Sequence, residues 1–203
     1  MWGVVFLAIF LQVALTAAGV YAVWSRIALR PPPRWSEAGV RFLGNGQAKG
    51  DFGELLTAAI LTQEGWRQLP SKLDANGHGI DGLFIRRSLL GFRVLITETK
   101  CNASRYRRAQ LENAKLIRAL GDLYAVGVLD WKTSGAIVTA LRRRSVFVRK
   151  ELWRHSLYEG LTTIEAADRL GRLKGRTRKR DTACLMESLA MMLGTHDGRY
   201  FAL

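Results

Sequence analysis

From Met1 to Trp24 no residue is charged, and this apolar run limits what the chain can fold into more than any other feature of the sequence. A helix of that length spans roughly 36 Å, enough to cross a hydrocarbon core of about 30 Å. Trp2 at one end and Tyr21 and Trp24 at the other have rings that favour membrane interfaces. A cleaved signal peptide would have a basic start and a shorter apolar segment. We therefore predict a transmembrane helix over residues 1–25.

The residues after this run predict its orientation. Arg26, Arg30 and Arg34 follow directly, and positively charged residues accumulate on the cytoplasmic side of a membrane span. The three prolines at 31–33 end the helix and stiffen the chain, because each ring fixes φ and removes a backbone donor. The sequence predicts a single-pass protein of the inner (cytoplasmic) membrane. An Arg- and Pro-rich linker would cover residues 26–44, and the rest of the chain would lie in the cytoplasm.

The charge balance predicts a polyanionic partner. The chain carries 31 Lys and Arg against 17 Asp and Glu, a formal net charge of +14. Such an excess is typical of proteins that bind nucleic acid or an anionic lipid surface. A charged fraction of 24% beside a hydrophobic fraction of 48% excludes both a polytopic membrane protein and a disordered tail. Two cysteines, Cys101 and Cys184, are too few for a disulfide framework or a four-cysteine zinc site.

The spacing of apolar residues between residues 45 and 150 predicts an α/β domain. Helical spacing comes first and strand spacing follows, with glycine-rich turns between the segments. The predicted elements are a helix over 49–63, an extended piece over 66–69, strands over 80–86 and 92–99, a helix over 104–119, and strands over 126–129, 136–141 and 145–148. Residues 151–203 are predicted to form a basic, mostly helical region.

Two acids and a lysine stand at the ends of two predicted strands. Asp81 opens the first strand, and Glu98 and Lys100 close the next. Side chains alternate along a strand, so Glu98 and Lys100 point to the same face, and a hairpin would bring Asp81 within reach of them. Two converging carboxylates make a hard-oxygen site suited to magnesium or manganese. A nearby lysine can orient or help to deprotonate a metal-bound water.

A third carboxylate, Glu54, lies on the first predicted helix beside the small Gly53, which permits close approach. Two simpler interpretations stay open. Glu98 and Lys100 could form a solvated ion pair on an edge strand, worth at most about 1 kcal/mol. Glu54 could be an ordinary surface acid that favours the helix dipole from the first turn.

Together these residues resemble the PD-(D/E)xK nuclease superfamily, which has the restriction-endonuclease-like fold. The resemblance rests on Glu54, the Gly-Ile-Asp-Gly sequence at 79–82 and the Glu-Thr-Lys sequence at 98–100. It covers roughly residues 47–150 and implies an α-β-β-β-α-β core with a mixed sheet flanked by helices. The chain departs from the name-giving motif at Ile80, which stands where that motif has proline.

The resemblance implies metal-dependent hydrolysis of phosphodiester bonds. Asp81, Glu98 and the backbone carbonyl of Thr99 would bind Mg²⁺, for which Mn²⁺ can substitute. Lys100 would position the attacking water, and Glu54 would add a further contact to the metal or the water. Each of these residues stands where the family's motif places the corresponding group.

Several residues after the motif are predicted to contact nucleic acid. Gln110 matches a glutamine that many family members carry in the helix after the lysine. Three basic residues directly after the site are further candidates: Arg105, Arg107 and Arg108. Two more basic clusters, at 142–150 and 169–180, could face nucleic acid or, for the second, anionic lipid. Contacts of this kind give affinity without sequence recognition.

The sequence thus predicts a membrane-anchored, Mg²⁺-dependent nuclease that acts on nucleic acid, DNA rather than RNA, at the cytoplasmic face. One alternative is a non-catalytic, membrane-anchored protein that binds or assembles nucleic acid. Another is a nuclease toxin or effector domain. The oligomeric state is left open, a homodimer included.

Overall fold

The computed structural model describes residues 46–74, 78–89, 91–143 and 145–196. The predicted transmembrane helix over residues 1–25 and the linker over 26–44 lie outside these ranges. Within them, no helix is both long and apolar enough to cross a membrane.

Four α-helices and six strands make up the described part of the chain. In order they are α1 (Gly46–Gln63), β1 (Arg67–Leu69), β2 (Gly82–Ser88), β3 (Gly91–Cys101), α2 (Asn113–Ala125), α3 (Trp131–Arg142), β4 (Val148–Ser156), β5 (Leu161–Ala167), β6 (Leu173–Asp181) and α4 (Ala183–His196). A 3₁₀ turn, Arg108–Leu111, precedes α2.

The six strands form one mixed sheet in the order β1-β2-β3-β4-β5-β6. Neighbouring strands run antiparallel except β3 and β4, which are parallel. Parallel neighbours need a long crossover, and α2 and α3 supply it here. The predicted α/β class with a mixed sheet is confirmed.

Helices cover both faces of the sheet, and each face has its own apolar cluster. The cluster under α1 and α4 includes Phe52, Leu56, Phe84, Trp153 and Met186. The cluster under α2 and α3 includes Leu83, Ile96, Leu120, Ile137 and Leu152. Each fully buried side chain of this size contributes about 1.5–3 kcal/mol. Because both faces of the middle strands are covered, the sheet is accessible mainly at its ends and along its outer strands.

The early part of the sequence folds as predicted. The helix over 49–63 corresponds to α1, the extended piece over 66–69 to β1, and the strands over 80–86 and 92–99 to β2 and β3. The helix predicted over 104–119 begins later, with the 3₁₀ turn and then α2. The reason is local, because the Gln110 side chain accepts the backbone N–H of Arg107 at 2.8 Å and starts the turn there.

The strands predicted over 126–129 and 136–141 are wrong. Residues 126–129 form a turn, and residues 136–141 belong to α3. The side chain of Asp130 accepts the N–H of Thr133 at 2.9 Å and caps this helix. Short apolar runs fit strand and helix periodicity equally well, so the cap decides. The strand predicted over 145–148 is displaced, since β4 begins only at Val148.

The mostly helical region predicted after residue 150 is wrong over residues 151–181. Three strands occupy that stretch, and β4 continues across the predicted boundary at residue 150. Trp153 and Ile164 are paired across β4 and β5 and are both buried, so tertiary pairing overrides the local basic pattern. Within residues 151–196, only α4 is helical, as predicted for that region.

Candidate active site

The predicted carboxylates and lysine converge at one end of the sheet. β2 and β3 form the predicted hairpin, and their last pair at this end is Gly82 opposite Thr97. Asp81 therefore lies beside Glu98, and its negative charge acts on that acid. α1 crosses the sheet here and brings Glu54 to the other side of Asp81.

The carboxylate of Asp81 is held by a backbone group of β3. Its Oδ2 accepts the backbone N–H of Thr99 at 2.9 Å. The N–H and the C=O of one strand residue leave the strand at the same edge, so the Thr99 carbonyl also faces the Asp81 side. This is the arrangement in which a carboxylate and a carbonyl can share one cation.

Glu98 is buried on a central strand, with a side chain that is 8% exposed. The ammonium of Lys100 and the amide of Gln110 both donate to its Oε1. Burial, and then the negative charge of Asp81, raise the pKa of Glu98 to about 7, although Lys100 opposes the shift. The alternative of a solvated ion pair on an edge strand is wrong, because β3 lies between β2 and β4.

Glu54 is half-buried, and its environment repeats that of Glu98. Burial raises its pKa to about 7, the charge of Asp81 adds to the shift, and Lys72 opposes it. The alternative of an ordinary surface acid is therefore wrong. Gly53 explains how α1 comes so near β3: a Cβ atom there would lie 3.1 Å from Cγ2 of Thr99 and closer still to Sγ of Cys101.

Lys72 is a further residue of the site, one that no motif in the sequence indicates. Its Nζ lies 2.8 Å from Oε1 of Glu54 and 3.4 Å from Oδ1 of Asp81. Burial lowers the pKa of Lys72, but the hydrogen bond to Glu54 and the charge of Asp81 outweigh burial and raise it. Lys72 stands in the connection between β1 and β2, where no local pattern marks it.

The 3₁₀ turn that carries Gln110 is fixed to the sheet by Lys150, a member of the basic cluster predicted at 142–150. Because this side chain is enclosed by the fold, the prediction that the cluster could face nucleic acid is wrong for Lys150. Lys150 on β4 is buried, and its Nζ donates to the Leu111 carbonyl and to Oδ1 of Asn113, both at 2.6 Å. Burial lowers the pKa of Lys150 to about 8. Through the turn, Lys150 helps to hold Gln110 against Glu98.

The predicted arginines form a basic border beside the site. Arg105, Arg107 and Arg108 lie between the end of β3 and α2, and all three are exposed. The sheet register adds a row that the sequence did not reveal: Lys100 pairs with Arg154, Arg154 with Thr163, and Thr163 with Lys179. Paired residues share a face, so this row runs from the site to the outer strand β6.

The basic cluster at 169–180 divides between the two faces of β6. Arg178 and Arg180, on the face opposite Lys179, pair with Glu151 and Glu64 respectively. Glu151 is buried and also pairs with Arg149. Part of this cluster therefore stabilises the fold, and only the remainder is available for a partner.

Two histidines and a cysteine that could in principle bind a metal or act as a nucleophile are instead held by contacts within the fold. His78 is exposed and pairs with Asp74. His155 is buried between Thr57 and Thr162, and burial lowers its pKa to about 4. Cys101 is buried, and burial raises the pKa of its thiol to about 11. A thiol with so high a pKa is a poor nucleophile.

The donor set at the end of the sheet fits a hard divalent cation. Asp81, Glu98 and the Thr99 carbonyl offer oxygen atoms only, which Mg²⁺ and Mn²⁺ prefer. Among the residues that the structure describes, no three acidic, histidine or cysteine side chains are already gathered around a common cation position. Lys72 and Lys100 instead supply positive charge to these carboxylates.

Comparisons with known proteins add no relative, since no family model, no curated protein and no solved structure matches the chain. The functional interpretation therefore depends on the residues and their geometry.

Proposed function

We propose that this protein is a Mg²⁺-dependent nuclease of the PD-(D/E)xK type, anchored in the inner membrane with its active site in the cytoplasm. The observation that carries the proposal is the convergence of Asp81, Glu98 and Lys100 at one end of a buried hairpin. The spacing of these residues and the family motif that they resemble both predict a site at this place, which supports the proposal.

The order of elements supports a restriction-endonuclease-like core. α1, the antiparallel strands β1 to β3, α2 and then β4 parallel to β3 follow the α-β-β-β-α-β order of that core. α3 in the crossover and the two outer strands β5 and β6 would be additions to it.

Each site residue has a chemical role in this proposal. Asp81, Glu98 and the Thr99 carbonyl would hold Mg²⁺, with Mn²⁺ as a substitute. The ion would supply Lewis-acid stabilisation and acidify a bound water. Lys100 would orient that water for attack on the phosphodiester. Gln110 would fix Glu98 in position, since it donates to the same carboxylate oxygen as Lys100.

The basic surfaces support a nucleic-acid substrate, and we propose DNA. The arginines at 105, 107 and 108 and the row from Lys100 through Arg154 to Lys179 border the carboxylates. Adjacent strands lie about 4.8 Å apart, so the row extends about 14 Å from β3 to β6, the reach of a few nucleotides.

The test is cleavage by the full-length chain in detergent micelles. Wild type, Asp81→Asn and Lys100→Met are incubated with supercoiled DNA, linear DNA, single strands and structured RNA in Mg²⁺, Mn²⁺ or EDTA. We expect metal-dependent cleavage of DNA that falls at least about 100-fold in both variants. Lys132→Met is the control for Lys100→Met, because it removes one positive charge at an exposed position on α3. It should cleave like wild type.

The same experiment examines the second candidate, a non-catalytic nucleic-acid-binding protein. The observation that favours it is that Lys72 and Lys100 already pair with the carboxylates Glu54 and Glu98. If every protein binds DNA and none cuts any substrate with either metal, the nuclease proposal is wrong and the binding function replaces it.

A further inference from the structure

Asp81 has an acidic neighbour on each side, and a lysine accompanies each neighbour. On one side Lys100 donates to Glu98. On the other side the ammonium of Lys72 lies between two carboxylates, 2.8 Å from Glu54 and 3.4 Å from Asp81. Lys72 thus occupies the place where a cation would bind those two acids together.

The fold holds Lys72 in this place from both sides of its loop. Its backbone forms a bridge with Gly79, and the N–H of Ile80 donates to the Ser71 carbonyl at 2.9 Å. Gly79 has φ +136° and lies so close to the Ser71 carbonyl that any side chain would collide with it. The loop is therefore built around a tight approach that sets Lys72 against Glu54 and Asp81.

The positive charge of Lys72 disfavours the binding of a second divalent cation beside Asp81. When all three carboxylates are ionised, as they are when they bind a metal ion, the two ammonium groups leave the cluster with one net negative charge. One divalent cation already outbalances that charge. A second would have to share the space between Glu54 and Asp81 with an ammonium group, and like charges at such distances repel strongly.

We propose that Lys72 takes the place of a second divalent cation, so that the active site binds one metal ion per chain, at Asp81 and Glu98. The inference rests on the proposed function, because it concerns the metal of that same site. Lys72 is a fixed positive charge on the Glu54 side of Asp81, where it neutralises carboxylates without depending on the metal concentration.

Removal of the charge should therefore open a second site. In Lys72→Met the side chain keeps its length but leaves Glu54 and Asp81 facing each other uncompensated. We expect this variant to bind two Mn²⁺ ions per chain where wild type binds one. Lys72→Arg keeps the charge and should bind one. In the double variant Glu54→Gln, Lys72→Met the second site loses a ligand, and binding should return to one ion.

The experiment is calorimetric titration of Mn²⁺ into the full-length protein in detergent micelles, with no nucleic acid and no measurement of activity. Lys132→Met controls for the loss of one positive charge on the surface, and thermal unfolding in EDTA checks that each variant is folded. Two ions bound to wild type, or one bound to a folded Lys72→Met, would overturn the inference. If Lys72→Met does not fold, Lys72→Gln takes its place, because it also removes the charge but can still donate a hydrogen bond to Glu54; the same two-ion result is expected, and one ion bound to the folded variant would overturn the inference.

The outcomes separate this inference from the proposed function. If neither wild type nor any variant binds Mn²⁺, the metal-dependent nuclease is wrong and the role of Lys72 falls with it. If wild type binds one ion and Lys72→Met also binds one, the metal site stands while Lys72 is only a structural partner of Glu54.

Discussion

At the scale of single residues, the site is marked by two acids whose proton affinity is changed by the same causes. Glu54 and Glu98 lie on different elements, yet burial and the charge of Asp81 raise the pKa of each from 4.5 to about 7. Neither cause is visible along the chain, because burial and the neighbour both come from packing. Acids that hold protons near neutral pH are common at functional sites.

These shifted pKa values predict how stability depends on pH in the absence of metal. Glu98 binds its proton more tightly in the folded chain than in the unfolded one. The folded state therefore holds an extra proton between about pH 4.5 and pH 7, and this acid lowers the free energy of unfolding as the pH rises through that window. Glu98→Gln removes the effect. As the pH rises from 5 to 8, the free energy of unfolding of the variant minus that of wild type should therefore increase by about 1–3 kcal/mol.

Denaturant unfolding in EDTA at several pH values measures this difference. Wild type alone is not sufficient, because His155, whose pKa is lowered to about 4, changes stability in the opposite direction over part of the range. Glu159→Gln, at an exposed acid, is the matched control and should run parallel to wild type. A Glu98→Gln curve that also runs parallel to wild type would contradict the burial and charge described for Glu98.

At the scale of elements, the approach of α1 to β3 determines whether Glu54 can reach the site. The contact is made at Gly53, where the helix lies against Thr99 and Cys101. A larger residue would push the helix, and with it Glu54, away from Asp81. Gly53 and Glu54 thus act together: the glycine lets α1 pack closely against β3, and the glutamate places a carboxylate beside Asp81.

Gly53→Ala should therefore destabilise the protein. The added methyl overpacks the interface, and such insertions typically cost about 1–3 kcal/mol. Gly50→Ala is the control on the same helix, because nothing lies near its Cβ position, and it should be neutral or stabilising by up to about 1 kcal/mol. Chemical denaturation measures both, and equal effects of the two substitutions would show that the close approach at Gly53 is not tight.

The strand β6 is the second element with a distinct consequence, since it carries basic residues on both faces. On the face that continues the row from the site, Arg154 on β4 and Lys179 on β6 should each contact a phosphate. Arg154→Gln and Lys179→Gln should both weaken DNA binding. Each should also reduce the magnitude of the slope of log affinity against log salt by about 1, the value expected for the loss of one phosphate contact. Fluorescence anisotropy in EDTA, which removes the metal that the proposed cleavage needs, measures both quantities.

Arg178→Gln is the matched control for this surface. It removes one positive charge from the same strand, but on the opposite face, where Arg178 pairs with the buried Glu151. We expect it to lower stability with little change in the salt slope. An equal loss of salt dependence in all three variants would mean that the whole strand, and not the row, contributes to binding.

At the scale of the whole molecule, the sheet has helices on both faces and its catalytic candidates at one end. Basic residues line the outer strand β6 and the segment that borders that end, beside a cluster of acids. With a net charge of +14, the protein could also associate with a membrane through electrostatic attraction to anionic lipid, which is an alternative to the predicted transmembrane anchor. The two modes of membrane association differ in what releases the protein.

We expect the full-length protein to sediment with membranes and to stay there in high salt and in alkaline carbonate. Salt screens attraction between basic residues and lipid headgroups, whereas an inserted apolar helix is held by the hydrophobic effect. Immunoblotting of the washed membrane fractions measures this. Complete release by salt alone would contradict the transmembrane prediction over residues 1–25.

The sequence by itself determined the helix α1, the hairpin of β2 and β3, and the acids at its end. These features depend on local information: apolar periodicity, turn residues, and the alternation that aligns Glu98 with Lys100. A hairpin joins neighbours in the chain, so the meeting of Asp81 with Glu98 follows from a short turn. The candidate site could therefore be assembled from residues that are close in sequence.

Only the tertiary structure decided the features that depend on distant partners. The strand character of residues 151–181 comes from pairing with β3 and its neighbours, which outweighs local propensity. Lys72 joins the site through a loop contact, and Lys179 joins the row through the register of four strands. Contacts of this kind leave no periodic trace in the chain, because side chains brought together by a fold need no fixed spacing in the sequence.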